Sequence, residues 1–169
     1  NKNLTVEHAF KIGRYLGLYY GKDHKAKVVI GKDTRRSSYM FESALCAGLT
    51  ASGADAYLLH VTTTPSVSYI ARADCFDCGI MISASHNPYY DNGIKLINSN
   101  GEKMEQSVLD GIEEYLDSDT LSPYAEKDVI GQVVDYSAGR NRYIGYLISL
   151  ATRSYKGWNI GLDCANGST

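Results

Sequence analysis

The side chains able to do chemistry crowd into one stretch, "ISASHNPYYDNGIKLI", residues 82–97. It holds Ser83, Ser85, His86, Asn87, Asp91, Asn92 and Lys95 in what reads as a loop between two apolar runs. A serine hydroxyl is a weak nucleophile until a base or a preorganised electrostatic site activates it. Lys95 could carry the proton only if its amine, with a free pKa of ~10.4, were pulled down by burial or neighbouring cations. A turn at Asn92-Gly93 would bring Lys95 back toward Ser85. Arg35 and Arg36, in "GKDTRRSS", add positive charge that suits an anion such as a phosphoryl group.

Plainer readings stand beside each of these. Asn87-Pro88 and Asn92-Gly93 make turns for local reasons alone. Lys95 can be a solvated charge on an edge strand, and Arg35 can pair with Asp33 at the surface, an arrangement worth little. His86 reads as a hydrogen-bonding loop residue rather than a metal ligand. His8, His24 and His60 have no companions at ligand spacing. Cys75 and Cys78 form C-x-x-C, yet no second ligand pair follows at zinc spacing. With Cys46 and Cys164 they read as reduced, structural thiols.

The flanking pattern predicts the scaffold. Thr5 caps a helix that carries Val6, Ala9, Phe10, Gly13 and Leu16 at helical spacing and stops at Gly21. A strand over 27–30 follows, then a helix capped by Ser37 or Ser38 and closed by Gly53. A second strand spans 56–61, and Thr64-Pro65 opens a short helix through Ile70. The third strand, 78–83, is apolar on both faces, as a strand buried between two helical layers would be. The polar loop 84–93 leads to a strand at 94–97 and a helix at 107–116. Residues 118–131 read as a linker, 138–152 as a helix, and "WNIGLDCANG" as a strand that breaks off at a glycine turn, like a cut. Alternating strands and helices predict a three-layer α/β/α domain whose site lies at the carboxyl ends of its strands.

Composition narrows the class. The 169 residues are 44% hydrophobic and 21% charged, which argues against disorder. A formal net charge of −2 leaves no basic excess for nucleic acid. No apolar run nears the ~18 residues of a membrane helix, and no signal peptide is visible, so a cytoplasmic place is expected. The 14 tyrosines read as core and interface residues, some of which could line a homodimer contact.

"SASHNP" followed by "DNGIK" and preceded by "GKDTR" resembles the first domain of the α-D-phosphohexomutases. Within that family the chain most resembles the bacterial branch acting on glucosamine phosphate, and "DCANG" resembles the strand opening the second domain. The resemblance implies a mixed-sheet first domain over 1–135, lacking its first strand, and a connecting helix plus the start of a second domain over 136–169. It implies interconversion of glucosamine 6-phosphate and glucosamine 1-phosphate through a phosphoserine and a bisphosphorylated sugar. Ser85 would carry the phosphoryl group, Lys95 would move protons, and His86 and Arg35 would orient or neutralise the phosphoserine. Mg²⁺ would touch the phosphate on Ser85, with its aspartate ligands beyond the chain. Since the metal loop and the sugar- and phosphate-gripping parts would lie past Thr169, the chain alone is expected to be inactive. Three alternatives stay open: the same chemistry on mannose or glucose phosphate, a non-catalytic sugar-phosphate-binding domain, and a C-x-x-C metal or redox module.

Overall fold

The computed structural model describes residues 4–118 and 122–168. Helix α1, Val6–Tyr20, starts at Thr5, whose hydroxyl accepts from the His8 N–H at 3.2 Å while the His8 ring accepts from the Thr5 N–H. This is a capping box with histidine in the usual glutamate position. Strand β1, Lys27–Lys32, leads through the "DTR" turn into α2, Arg36–Thr50. Strand β2, Asp55–Val61, leads to α3, Thr64–Ala73, and then to β3, Cys78–Ile82. Strand β4, Ile94–Asn98, is followed by α4, Gln106–Asp117, by β5, Val133–Asp135, and by α5, Ser137–Ser149.

The five strands lie in the order β4-β3-β1-β2-β5, with β4 antiparallel to β3 and every other pairing parallel. This is the three-layer arrangement that the sequence predicts, built on the mixed sheet that the resemblance implies. Central β1 is flanked on both sides, and all five residues of β3 are buried, which is why both strands read as unbroken apolar runs. On one face, Val28, Ile30, Ala56, Cys78, Ile80 and Ile82 pack under α1, α2 and α4. On the other, Val29, Leu59, Met81 and Ile97 pack against α3 with Val67, Ile70 and Ala71.

Helices α1 and α2 meet at a glycine notch. A Cβ on Gly48 would sit 2.1 Å from the Phe10 carbonyl oxygen, and one on Gly13 would sit 2.5 Å from that of Leu45. Only glycine at both positions allows the approach. Part of the tyrosine complement glues α5 down. Tyr146 stacks on Tyr69 of α3 at 4.4 Å between centroids, and Tyr136 meets Tyr57 and Phe76 edge-on at 5.6 Å.

Four local expectations are corrected. The strand expected in "WNIGLDCANG" does not form: 158–166 run as exposed, non-strand chain with no neighbouring strand to satisfy their backbone groups. Strand β5 went unpredicted because three residues are too few to show a period; it exists by pairing with β2. Neither Ser37 nor Ser38 caps α2. Arg35 is the N-cap, without a side-chain cap bond, because the Ser38 hydroxyl donates to Asp33 instead. Thr63, not Thr64, precedes α3.

Candidate active site

The loop at residues 83–93 leaves the carboxyl end of β3 next to the turn that follows β1. The two are tied at their roots, since the Asp33 N–H donates to the Ile82 carbonyl and the Ser83 N–H to that of Gly93. From there the loop is drawn toward the start of α2 by one side chain. The Arg35 guanidinium donates to the carbonyls of Ser85 and Asn87 through one terminal nitrogen, both at 2.9 Å. The other terminal nitrogen donates to the carbonyls of Pro88 and Asp91, the latter at 3.0 Å. Its Nε donates to Asp33 at 2.8 Å, so all five donors are engaged.

Arg35 therefore acts on the loop backbone, and its charge reaches the site by holding four carbonyls in place. The pair it makes with Asp33 is not the exposed one weighed above, since the two side chains are only 10% and 12% exposed. Burial opposes ionisation of Asp33, but hydrogen bonds from Ser38, the Arg35 backbone, Ser83 and the Arg35 side chain outweigh it and hold the carboxyl below its usual range.

Ser85 sits at φ +57°, a left-handed conformation uncommon for a residue with a Cβ. Its N–H donates to the Ser83 hydroxyl at 3.0 Å and its carbonyl is held by Arg35, while its side chain is exposed. Ser85 opens into a cleft of about 860 Å³ together with Thr34, Arg36, His86, Asn87 and Tyr89. Residues 165–168 close one side, with the Asn166 carbonyl accepting from the Thr34 hydroxyl at 3.2 Å.

Ser85, His86 and Arg35 thus come together, and Lys95 does not join them in the cleft. Lys95 lies on β4 opposite Met81, whose side chain belongs to the core under α3. Lys95 shares that side and lines a separate groove with Thr64 and Ser68. Strand alternation decides this: Ile94 and Leu96 pack toward α1, α2 and α4, so Lys95 faces the other way. Arg36, exposed at the first position of α2 and without an ion pair among the described residues, is the further cation in the Ser85 cleft. Asp33 and Ser38 were missed as parts of the site, and Asn92 reads in the sequence only as a member of the loop and its turn, although its buried amide donates to the Ser37 and Ser38 hydroxyls at 2.9 Å. The available signal was "GKDTRRSS" itself, where polar residues follow a buried strand.

An exposed hydroxyl on a rigid loop, beside a cation and a histidine, can accept a transferred group. The described residues include no cluster of three or more His, Cys, Asp or Glu able to hold a metal. Asp33 is taken by Arg35 and Ser38, so the cleft does not form a magnesium site by itself. Cys78 is buried and Cys75 exposed, which leaves the C-x-x-C without a shared face. No described helix is long and apolar enough to cross a membrane.

Residues 1–122 match the family described as phosphoglucomutase/phosphomannomutase, alpha/beta/alpha domain I. The chain belongs to this family. It is 70% identical over 172 residues to the phosphoglucosamine mutase of Lachnospira eligens, and 70% identical over 169 residues to that of Lachnoclostridium phytofermentans. Each alignment covers 99% of this chain but 38% of the relative, so the chain spans well under half of their length. A crystal structure of a phosphoglucomutase/phosphomannomutase family protein from Burkholderia thailandensis superposes with a TM-score of 0.71 at 25% identity, covering 90% of this chain and 34% of that one. A putative phosphomannomutase from Thermus thermophilus superposes with the same score at 23% identity, over 88% and 32% of the two chains, and attests the fold alone.

Proposed function

We propose that this chain is the phosphoryl-accepting domain of a phosphoglucosamine mutase, which interconverts glucosamine 6-phosphate and glucosamine 1-phosphate. The observation that carries the reading is Ser85: an exposed serine, held in a left-handed turn within a cleft that also holds Arg36 and His86. The 70%-identical relatives support the amino sugar as substrate.

In this reading phosphorylated Ser85 gives its phosphoryl group to the free hydroxyl of the bound monophosphate, forming the bisphosphorylated sugar, and Ser85 Oγ then takes back the phosphoryl group from the opposite end. Such transfer spreads charge over the equatorial oxygens, so positioning and cationic stabilisation do most of the work. Arg36 and His86 are placed to meet those oxygens, while Arg35 keeps the loop from yielding. Magnesium belongs to the proposal as a counter-charge on the Ser85 phosphate, its protein ligands coming from outside this chain. Lys95 is proposed for proton transfer by resemblance; its support is a place at the same sheet end, one rung from Ile82. The chain alone is proposed to lack turnover, and activity of the purified domain with sugar phosphate, bisphosphate and magnesium would refute that.

The test compares glucosamine 6-phosphate with mannose 6-phosphate on the full-length protein, with Ser85→Ala as control. Preference for the amino sugar, lost at least ~1,000-fold in the variant, is the expected result. Preference for mannose would move the protein to a sister substrate with the mechanism intact. Turnover surviving in Ser85→Ala would remove the mechanism.

A further inference from the structure

The Asp33 carboxylate is the point at which both ends of the serine loop are joined, although no transferred atom needs to touch it. One of its oxygens accepts from the Arg35 backbone N–H at 3.1 Å and from the Ser38 hydroxyl at 2.8 Å; the other accepts from Arg35 Nε at 2.8 Å. Residue 35 is thus gripped at main chain and side chain together, which fixes the plane in which the guanidinium presents its remaining donors. Those donors hold the Ser85, Asn87, Pro88 and Asp91 carbonyls. By its second arm Asp33 reaches Ser38, whose hydroxyl accepts from Asn92 Nδ2 at 2.9 Å, and Asn92 Oδ1 accepts from the Gly93 N–H at 2.8 Å. The loop from Ser85 to Asp91 is held through arginine and its return to β4 through serine and asparagine, and the two lines meet on one buried side chain.

We propose that Asp33 is a positioning residue for Ser85, acting through Arg35 and through the Ser38–Asn92 pair to hold the serine where its hydroxyl meets an incoming phosphoryl group. The inference rests on the reading of Ser85 as phosphoryl acceptor. Two consequences of the clamp explain how it serves that chemistry. The left-handed turn at Ser85 lacks the steric ease a glycine would have, so it persists only while its carbonyl and N–H are both held. Each carbonyl turned toward Arg35 also leaves the N–H of the same trans peptide turned away from it. His86 and Tyr89, which follow Ser85 and Pro88, therefore present main-chain donors on the outer side of the loop, a suitable arrangement for an anion.

The experiment uses the full-length protein with Asp33→Asn, which keeps the size and one acceptor but removes the charge. Two readouts are taken together: amide hydrogen exchange over 84–92 against β1 and β3, and the rates of Ser85 phosphorylation and sugar-phosphate turnover with glucose 1,6-bisphosphate as donor. The expected result is loop exchange at least ~10-fold faster with the strands unchanged, and kcat down about 10-fold with KM within about twofold. Unchanged loop exchange, or kcat within about twofold of wild type, overturns the inference. A KM change with kcat preserved does so as well, since it would place Asp33 in binding. Should Asp33→Asn loosen the strands too, Ser38→Ala removes one arm of the network at lower cost and is held to the same criteria. A wild-type protein that takes no phosphate defeats the acceptor reading and this inference with it. Normal wild-type phosphorylation with an indifferent Asp33→Asn defeats the inference alone.

Discussion

Two guanidinium groups gather backbone carbonyls at opposite ends of α2, and they are neutralised differently. At the carboxyl end, fully buried Arg14 donates to the Ala51 carbonyl at 2.6 Å, to that of Pro123 at 3.0 Å and to that of Ser122, with the Tyr124 ring 4.6 Å away. It has no carboxylate partner among the described residues. At the amino end, Arg35 gathers four carbonyls of the serine loop and leans on Asp33. The helix dipole accounts for the asymmetry, because the carboxyl end is electronegative and welcomes a cation while the amino end repels one. Arg14 is compensated by the helix itself, and Arg35 needs a counter-ion. A clamp that depends on one carboxylate is easier to perturb than one that depends on a whole helix.

Four measurements can break or sharpen that contrast. Arg14→Ala removes the donor that the Ser122 and Pro123 carbonyls share and empties a fully buried site, and is expected to cost about 3 kcal/mol, more than a hundredfold in the folding equilibrium. Urea unfolding of the domain measures it, and a loss below ~1 kcal/mol would mean water replaces the arginine. On the proposed function, Arg35→Ala is expected to lower turnover of the full-length protein roughly thirtyfold through misplacement of Ser85, while costing at most about 1 kcal/mol of stability. Equal losses of stability in the two variants would erase the distinction.

Thiol labelling reads the same contrast more finely. Burial pushes the Cys46 thiol up to about 12, with Glu42 adding and Lys32 opposing, and burial with Asp77 pushes Cys78 higher still. In the native domain Cys75 and Cys164 are expected to react with an alkylating reagent at pH 8 while Cys46 and Cys78 stay protected. Arg14→Ala should expose the protected pair to labelling by global opening, and Arg35→Ala should not. Acid gives the smallest effect. Asp33 has a depressed folded pKa, so its contribution is complete above its unfolded value near ~3.9 and is lost as pH falls through the folded value. Loop protection, taken relative to the intrinsic exchange rate at each pH, should therefore fall below about pH 4 in wild type. Asp33→Asn should show no such step.

Most of the scaffold was legible because its signals are local. Buried β1 and β3 show as unbroken apolar runs, and Thr5 announces α1 by its side chain. Strand β5 and the tail beyond Trp158 were misread in opposite directions for one reason: a short strand exists only if a neighbour pairs with it. Val133–Asp135 has β2 beside it, whereas 158–166 has nothing. In the site, Ser85 and its loop stood out by composition. The task of Arg35 did not, since "GKDTR" shows a cation but not that four carbonyls some fifty residues on will surround it. The direction of Lys95 could have been read from the alternation Ile94, Lys95, Leu96. The turn at Asn92-Gly93 drew attention to proximity along the chain instead of to the face of the sheet.

Arg35 precedes Ser85 by 50 positions. At about 5–20 residues per second, the guanidinium leaves the ribosome several seconds before the loop it will hold. The serine loop thus emerges after the arginine that will hold it, so its unusual backbone shape closes onto a partner already synthesised.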